Sequence, residues 1–282
     1  MLLGAYAILG PAHYLTQISW LHDRKYFVPH AYDTMILIAV TIVLAVLILC
    51  FDLNYNLPKM DFIFQGFLLL AILIALITVA FNSYIWRLLA IPCSIGLLFI
   101  LQSYPRMLML LFFVPTLIHV YVFTSLFILS GAIKNKSWPG FISFIVLLLC
   151  GSSFFWFLPF LPIEFVDQFV QQNKSYFFQG LALDFMRFFN LQMNDINLIM
   201  TIKFFAFAYT YHYLNWFSKT GIIGWHKVST PRGVGIIALY LLAVGLYVYD
   251  YTLGFIVLGG LSFGHVILEF PLDAIVIKNL GV

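Results

Sequence analysis

The sequence predicts an all-α, polytopic transmembrane helix bundle, a single integral membrane domain over residues 1–282. The 282 residues are 63% hydrophobic and only 9% charged, whereas soluble domains carry about 25% charged residues. The mean hydropathy is +1.02. Apolar runs of about 20 residues, the length a bilayer requires, also follow one another with short breaks between them. A chain of this kind cannot build a solvated surface, and its expected partner is the lipid bilayer.

Windows of spanning length fall at 1–21, 34–52, 62–81, 84–102, 107–131, 140–162, 196–217, 233–250 and 252–270, nine helices in all. The first window starts apolar with no basic stretch ahead of it, the pattern of a retained helix rather than a cleaved leader. Asn82-Ser83 separates the third from the fourth, and Asp250-Tyr251 the last two. If either break fails, eight helices remain. Between the sixth and seventh windows, about 163–195, Phe169, Val170, Phe177, Phe178, Leu181, Phe185, Phe188 and Phe189 alternate with Gln171, Gln172, Lys174, Asp184 and Arg187. That alternation predicts an amphipathic segment lying in the membrane interface, or a lid over the bundle.

Basic residues set the expected orientation. With nine helices, one side holds Arg24, Lys25, Arg87, Lys134, Lys136, Lys219, Lys227, Arg232 and Lys278, and the other Lys59, Arg106, Lys174 and Arg187. The bias places the N-terminus outside and the C-terminus in the cytoplasm, in a bacterial inner (plasma) membrane. The net charge of +3 is small and scattered, which argues against nucleic acid as a partner. Cys50, Cys93 and Cys150 stand singly, without CxxC spacing, so neither a disulfide framework nor a zinc–thiolate site is expected. They are expected to be buried, as small hydrophobes.

Chemistry enters through histidine. His13, His119, His212 and His265 lie one apiece in four different windows, all odd-numbered and therefore running the same way. An ionisable residue inside a bilayer marks a functional site by default, and imidazole is the commonest metal ligand. Each of the four carries a polar retinue. Pro11 precedes His13, and Gln17 follows at i+4 with Trp20 at i+7 on the same face. Pro115 stands four before His119 and is expected to kink its helix, with Thr116 re-satisfying freed carbonyls. Tyr209 and Asn215 share the His212 face. Glu269 follows His265 at i+4, ahead of Pro271 and Asp273.

The set predicts a metal held by His13, His119, His212 and His265, with Glu269, Gln17, Tyr209 and Asn215 orienting ligands or moving protons. Imidazoles with few carboxylates suit iron, copper or zinc better than magnesium or calcium. Iron is expected, because dioxygen chemistry on a lipid-soluble substrate is a common reason to build such a site in a bilayer. His22 and His226 read as interfacial, His30 as solvated, and Lys203 as a snorkelling side chain.

Three segments resemble a known family. Gly10-Pro11-Ala12-His13 is similar to the entry motif of the Brp/Blh-type membrane β-carotene dioxygenases. Leu261 to Leu268, around His265, resembles that family's late histidine-bearing segment, and Phe205 to Trp216, around His212, its aromatic penultimate motif. The resemblance implies an iron ion held by histidines from several helices, with a carotenoid cleaved by dioxygen to give retinal. It makes His13, His119, His212 and His265 the ligands.

The function expected is thus a membrane-embedded, histidine-ligated metalloenzyme, an iron oxygenase acting on a carotenoid, isoprenoid or other apolar small molecule. Two other classes share the same features. One is a haem- or quinone-binding electron carrier with two of the histidines axial, although paired histidines on one helix are missing. The other is a transporter or an auxiliary subunit with membrane-protein partners, for which Pro115 and Gly259-Gly260 are candidate helix breaks.

Overall fold

The structure, a computed structural model, describes residues 4–52, 60–81, 83–156 and 176–280. Among these residues it is all-helical, with no strand. A short π-helical turn, Ala5–Leu9, leads directly into α1 (Gly10–Asp23), which carries Pro11 in its first turn. There follow α2 (Ala31–Asp52), α3 (Met60–Ala80), α4 (Tyr84–Gln102) and α5 (Pro105–Phe113). A π-helical stretch, Val114–Phe123, joins α5 to α6 (Thr124–Asn135). Then come α7 (Trp138–Trp156), α8 (Tyr176–Phe188), α9 (Asp195–Ser218), the short α10 (Thr220–Ile223), α11 (Thr230–Tyr249) and α12 (Tyr251–Leu280).

Each apolar window falls on helix wherever it is described. The breaks at Ser83 and Asp250 are real, and α12 runs unbroken through Gly259-Gly260 and Pro271. Among the described residues, five helical segments are long and apolar enough to cross a membrane: Ile63–Ala80, Arg106–Asn135, Trp138–Trp156, Thr230–Tyr249 and Leu253–Leu280. Their outward faces suit hydrocarbon. On α11 only Ala243 is buried, while Ile237, Leu241 and Val248 stand 60%, 61% and 81% exposed.

Contacts gather into two compact units, Met1–Tyr6 with Leu117–His212, and Ala7–Thr116 with Tyr213–Val282. The first is aromatic. Phe178 packs edge-on against Tyr6 and Tyr209, and Phe185 packs against Phe155, Phe204 and Phe205. The described part of the predicted interfacial segment is α8, and it is amphipathic. Phe178, Leu181, Ala182, Phe185 and Met186 are buried, while Arg187 and Asp184 form an exposed ion pair of 2.9 Å. Phe169, Val170, Gln171, Gln172 and Lys174 lie outside the described residues. In the same unit Tyr121 donates to the Leu147 carbonyl (3.1 Å) across Gly151, where a Cβ would collide with the phenol.

The second unit is organised around α12, which packs against α1, α2, α3 and α11. Lipid tails are as apolar as leucine, so helices in a bilayer associate by close packing of small residues. Gly260 and Gly264, one turn apart on α12, supply that surface. A Cβ at Gly260 would touch the Ala45 methyl at 3.7 Å, and one at Gly264 would press on the Thr41 methyl at 3.2 Å. The order of these contacts makes α2 antiparallel to α12. Leu44, Leu68, Leu98, Val266 and Ile267 fill one core cluster, and Leu21, Leu37, Ile74 and Leu268 another. Arg232 at the start of α11 meets Asp23 at the end of α1 in a 2.5 Å ion pair.

Two sequence expectations change. Cys93 and Cys150 are exposed on apolar helices rather than buried, since a thiol tolerates an outward, lipid-like face as well as a core. At Pro115 the chain does not simply kink, because ten residues around it wind as π-helix. The proline has no N–H for an i→i−4 bond, and wider winding absorbs the gap. Thr116 does re-satisfy a carbonyl, donating to Phe112 O at 2.8 Å.

Candidate metal centre

All four intramembrane histidines are buried, His13 and His119 to 1% exposure, His265 to 2% and His212 to 8%. His22, His30 and His226 are exposed, as their interfacial or solvated reading requires.

In the second unit, α1 and α12 run parallel and in register. His13 meets His265 with ring centroids 5.2 Å apart and planes at 81°. One turn on, the Gln17 amide donates to the Glu269 carboxylate. Both pairs are 252 residues apart, so one register aligns them. The two residues that the sequence offered as independent polar neighbours are therefore a single buried unit, Gln17 at 1% and Glu269 at 5% exposure.

Aromatic side chains wall this pair. The Tyr14 ring stacks on His265 at 4.3 Å and 24°. Its hydroxyl shares a 2.5 Å hydrogen bond with that of Tyr213, whose ring lies 5.3 Å from His13. Trp216 stands edge-on to His13 at 5.5 Å and donates its indole N–H to Thr16 Oγ1 at 3.0 Å. Thr16 in turn donates to the carbonyls of Ala12 and His13. Water is kept from the imidazoles by these rings.

In the first unit, His119, within the π-helical stretch, lies beside His212 of α9, with centroids 5.0 Å apart and planes at 69°. Thr124 Oγ1 is 2.7 Å from His212 Nδ1, and both side chains are buried. Tyr209, although on the His212 helix, packs among Tyr6 and Phe178. Asn215 is half-buried, and its carbonyl accepts from Ser218.

The donor set fits a transition metal. Two imidazoles on one metal, with bonds of about 2.0–2.1 Å, hold their ring centroids about 4.5–5.2 Å apart for ligand angles between square and tetrahedral. The separations of 5.2 Å for His13–His265 and 5.0 Å for His119–His212 lie in that range.

No protein-family model, no curated protein and no solved structure matches this chain. Around His13 and His265 stand two imidazoles, one carboxylate paired with an amide, two hydrogen-bonded phenols and an indole, all buried.

Sequence reasoning missed Tyr14, Tyr213, Thr16, Trp216 and Thr124 as members of this environment. Tyr14 carried a signal, being adjacent to His13. Thr124 carried none, since its link to His212 spans 88 residues.

Proposed function

We propose that His13, His119, His212 and His265 hold a transition metal, iron by preference, and that the chain is a membrane-embedded oxygenase for a carotenoid, isoprenoid or other apolar lipid. The observation that carries this reading is the buried histidine pairing: two pairs of imidazoles at metal-sharing separations in a chain with membrane-spanning apolar helices. An imidazole in such apolar surroundings is costly without polar partners, and imidazole is the commonest metal ligand, suited to iron, copper or zinc. The likeness of the His13, His212 and His265 segments to the membrane β-carotene dioxygenases supports iron and a polyene substrate.

Bound iron supplies the redox chemistry that dioxygen requires. The protein's own groups do the rest. Tyr14, Tyr213 and Trp216 exclude water from His13 and His265. Gln17 holds the Glu269 carboxylate in one orientation, where it manages protons at the site. Tyr209 and Asn215 steady the His212 helix, and the phenylalanine-rich surroundings align an apolar chain beside the imidazoles. In this reading the helices cross a bacterial inner membrane nine times with the N-terminus outside, and the amphipathic α8 segment lies in the interface.

The test is an absorption spectrum of the purified protein with dioxygen uptake measured on an added polyene, β-carotene. The expected result is no Soret band and polyene-dependent uptake that is lost in His265→Ala. A Soret band would instead establish the electron-carrier reading, and absence of uptake with every apolar polyene or isoprenoid would remove the oxygenase reading.

A further inference from the structure

We propose that Thr124 is a positioning residue that accepts the Nδ1–H of His212 and so fixes Nε2 as the nitrogen that meets the metal. The proposal rests on the metal-site reading above and deepens it by naming the atom.

A neutral imidazole carries hydrogen on one nitrogen only, and the group bonded to that nitrogen decides which one remains a ligand. For His265 the choice is dictated by chemistry. Its Nδ1 faces the Leu261 carbonyl at 3.4 Å, and a carbonyl can only accept. Nδ1 of His265 therefore carries the hydrogen, and its lone pair sits on Nε2. For His212 the partner is a hydroxyl at 2.7 Å, which can donate or accept. If Thr124 donated, the hydrogen would sit on Nε2 and His212 would present no lone pair to a metal. Ligation by His212 thus requires Thr124 to accept, the same arrangement that the carbonyl enforces at His265.

The placement of Thr124 serves this role. Thr16, Thr41, Thr78 and Thr116 send their hydroxyls to carbonyls of their own helices, three or four residues back. Thr124, the first residue of α6 after the π-helical stretch, instead directs its hydroxyl oxygen across to α9. The π-helical winding that carries His119 ends one residue earlier, at Phe123. The same irregular segment thus delivers one imidazole and the group that orients its neighbour. Partners of this kind typically change metal affinity by about 10- to 100-fold when removed.

The experiment uses the full-length protein in detergent with Thr124→Val and Thr124→Ser. In the metal-free protein, imidazole nitrogen NMR is expected to show the Nδ1–H form of His212. That form should persist in T124S and give way to a mixture in T124V. Titration with cobalt(II), followed by its visible bands, is expected to show binding weakened about 10- to 100-fold in T124V and within a few-fold of wild type in T124S. An Nε2–H form of His212 in the wild type, or unchanged cobalt(II) binding in a folded T124V, would overturn the proposal. If the wild type bound no cobalt(II), iron(II) or zinc(II), the metal reading itself would fail. The NMR result would still decide whether Thr124 sets the ring nitrogen.

Discussion

Gln17 donates its side-chain amide to the carboxylate of Glu269 one helical turn on from the His13–His265 contact, tying α1 to α12 at two successive levels. Neither side chain can be removed alone without stranding a buried polar group. Glu269→Ala should lower thermal stability in detergent by about 1–3 kcal/mol, the cost of an unsatisfied buried amide. Glu269→Gln retains an acceptor and should cost less. An equal loss in both variants would show that the charge, not the hydrogen bond, matters there.

The phenols of Tyr14 and Tyr213 share one 2.5 Å hydrogen bond. In a double-mutant cycle, Tyr14→Phe and Tyr213→Phe should be non-additive by about 0.5–1.5 kcal/mol. Additive unfolding energies would mean that the hydroxyls act independently.

Close packing at Gly264 makes a compensation predictable. Gly264→Ala places a methyl against the Thr41 methyl, 3.2 Å away, and should destabilise by about 1–3 kcal/mol through overpacking. Thr41→Ser removes that methyl while keeping the hydroxyl, which donates to Leu37 O. The double variant should regain most of the lost melting temperature. If T41S brings no recovery, Thr41 is not the obstacle.

Much of the helix layout was legible because hydropathy reports length directly, and lipid imposes helix on any spanning segment. Asp250 was readable as a break because a charged residue between two apolar runs has nowhere to go but the boundary. The π-helical stretches at Ala5–Leu9 and Val114–Phe123 were not legible. A proline announces a disturbance, but whether a kink or wider winding absorbs it depends on neighbouring helices. Gly259-Gly260 read as a candidate helix break, whereas Gly260 and Gly264 instead give α12 a close-packing surface against Ala45 and Thr41. The histidines themselves were legible as anomalies. Their pairing was not, because i+4 spacing on one helix says nothing about register against another. His13 with His265 and Gln17 with Glu269 required α1 and α12 to lie parallel and aligned. Tyr209 shows the converse. It shares a helix with His212, yet it is committed to the aromatic contacts of Tyr6 and Phe178.

Loss of metal should also be felt as loss of stability, since ligand binding to the folded state alone raises its unfolding temperature. Chelation of the purified protein should lower its melting temperature, and the added metal should restore it. His13→Ala, which removes one donor beforehand, should blunt both effects. A melting temperature indifferent to chelator would place the histidines in packing alone.

The most direct test is elemental analysis of the purified protein beside its His13→Ala, His212→Ala and His265→Ala variants. The account predicts roughly one transition-metal ion per chain in the wild type, iron by preference, and its loss in each folded variant. A purified protein that is active and free of metal, or variants that keep the full metal content, would contradict it.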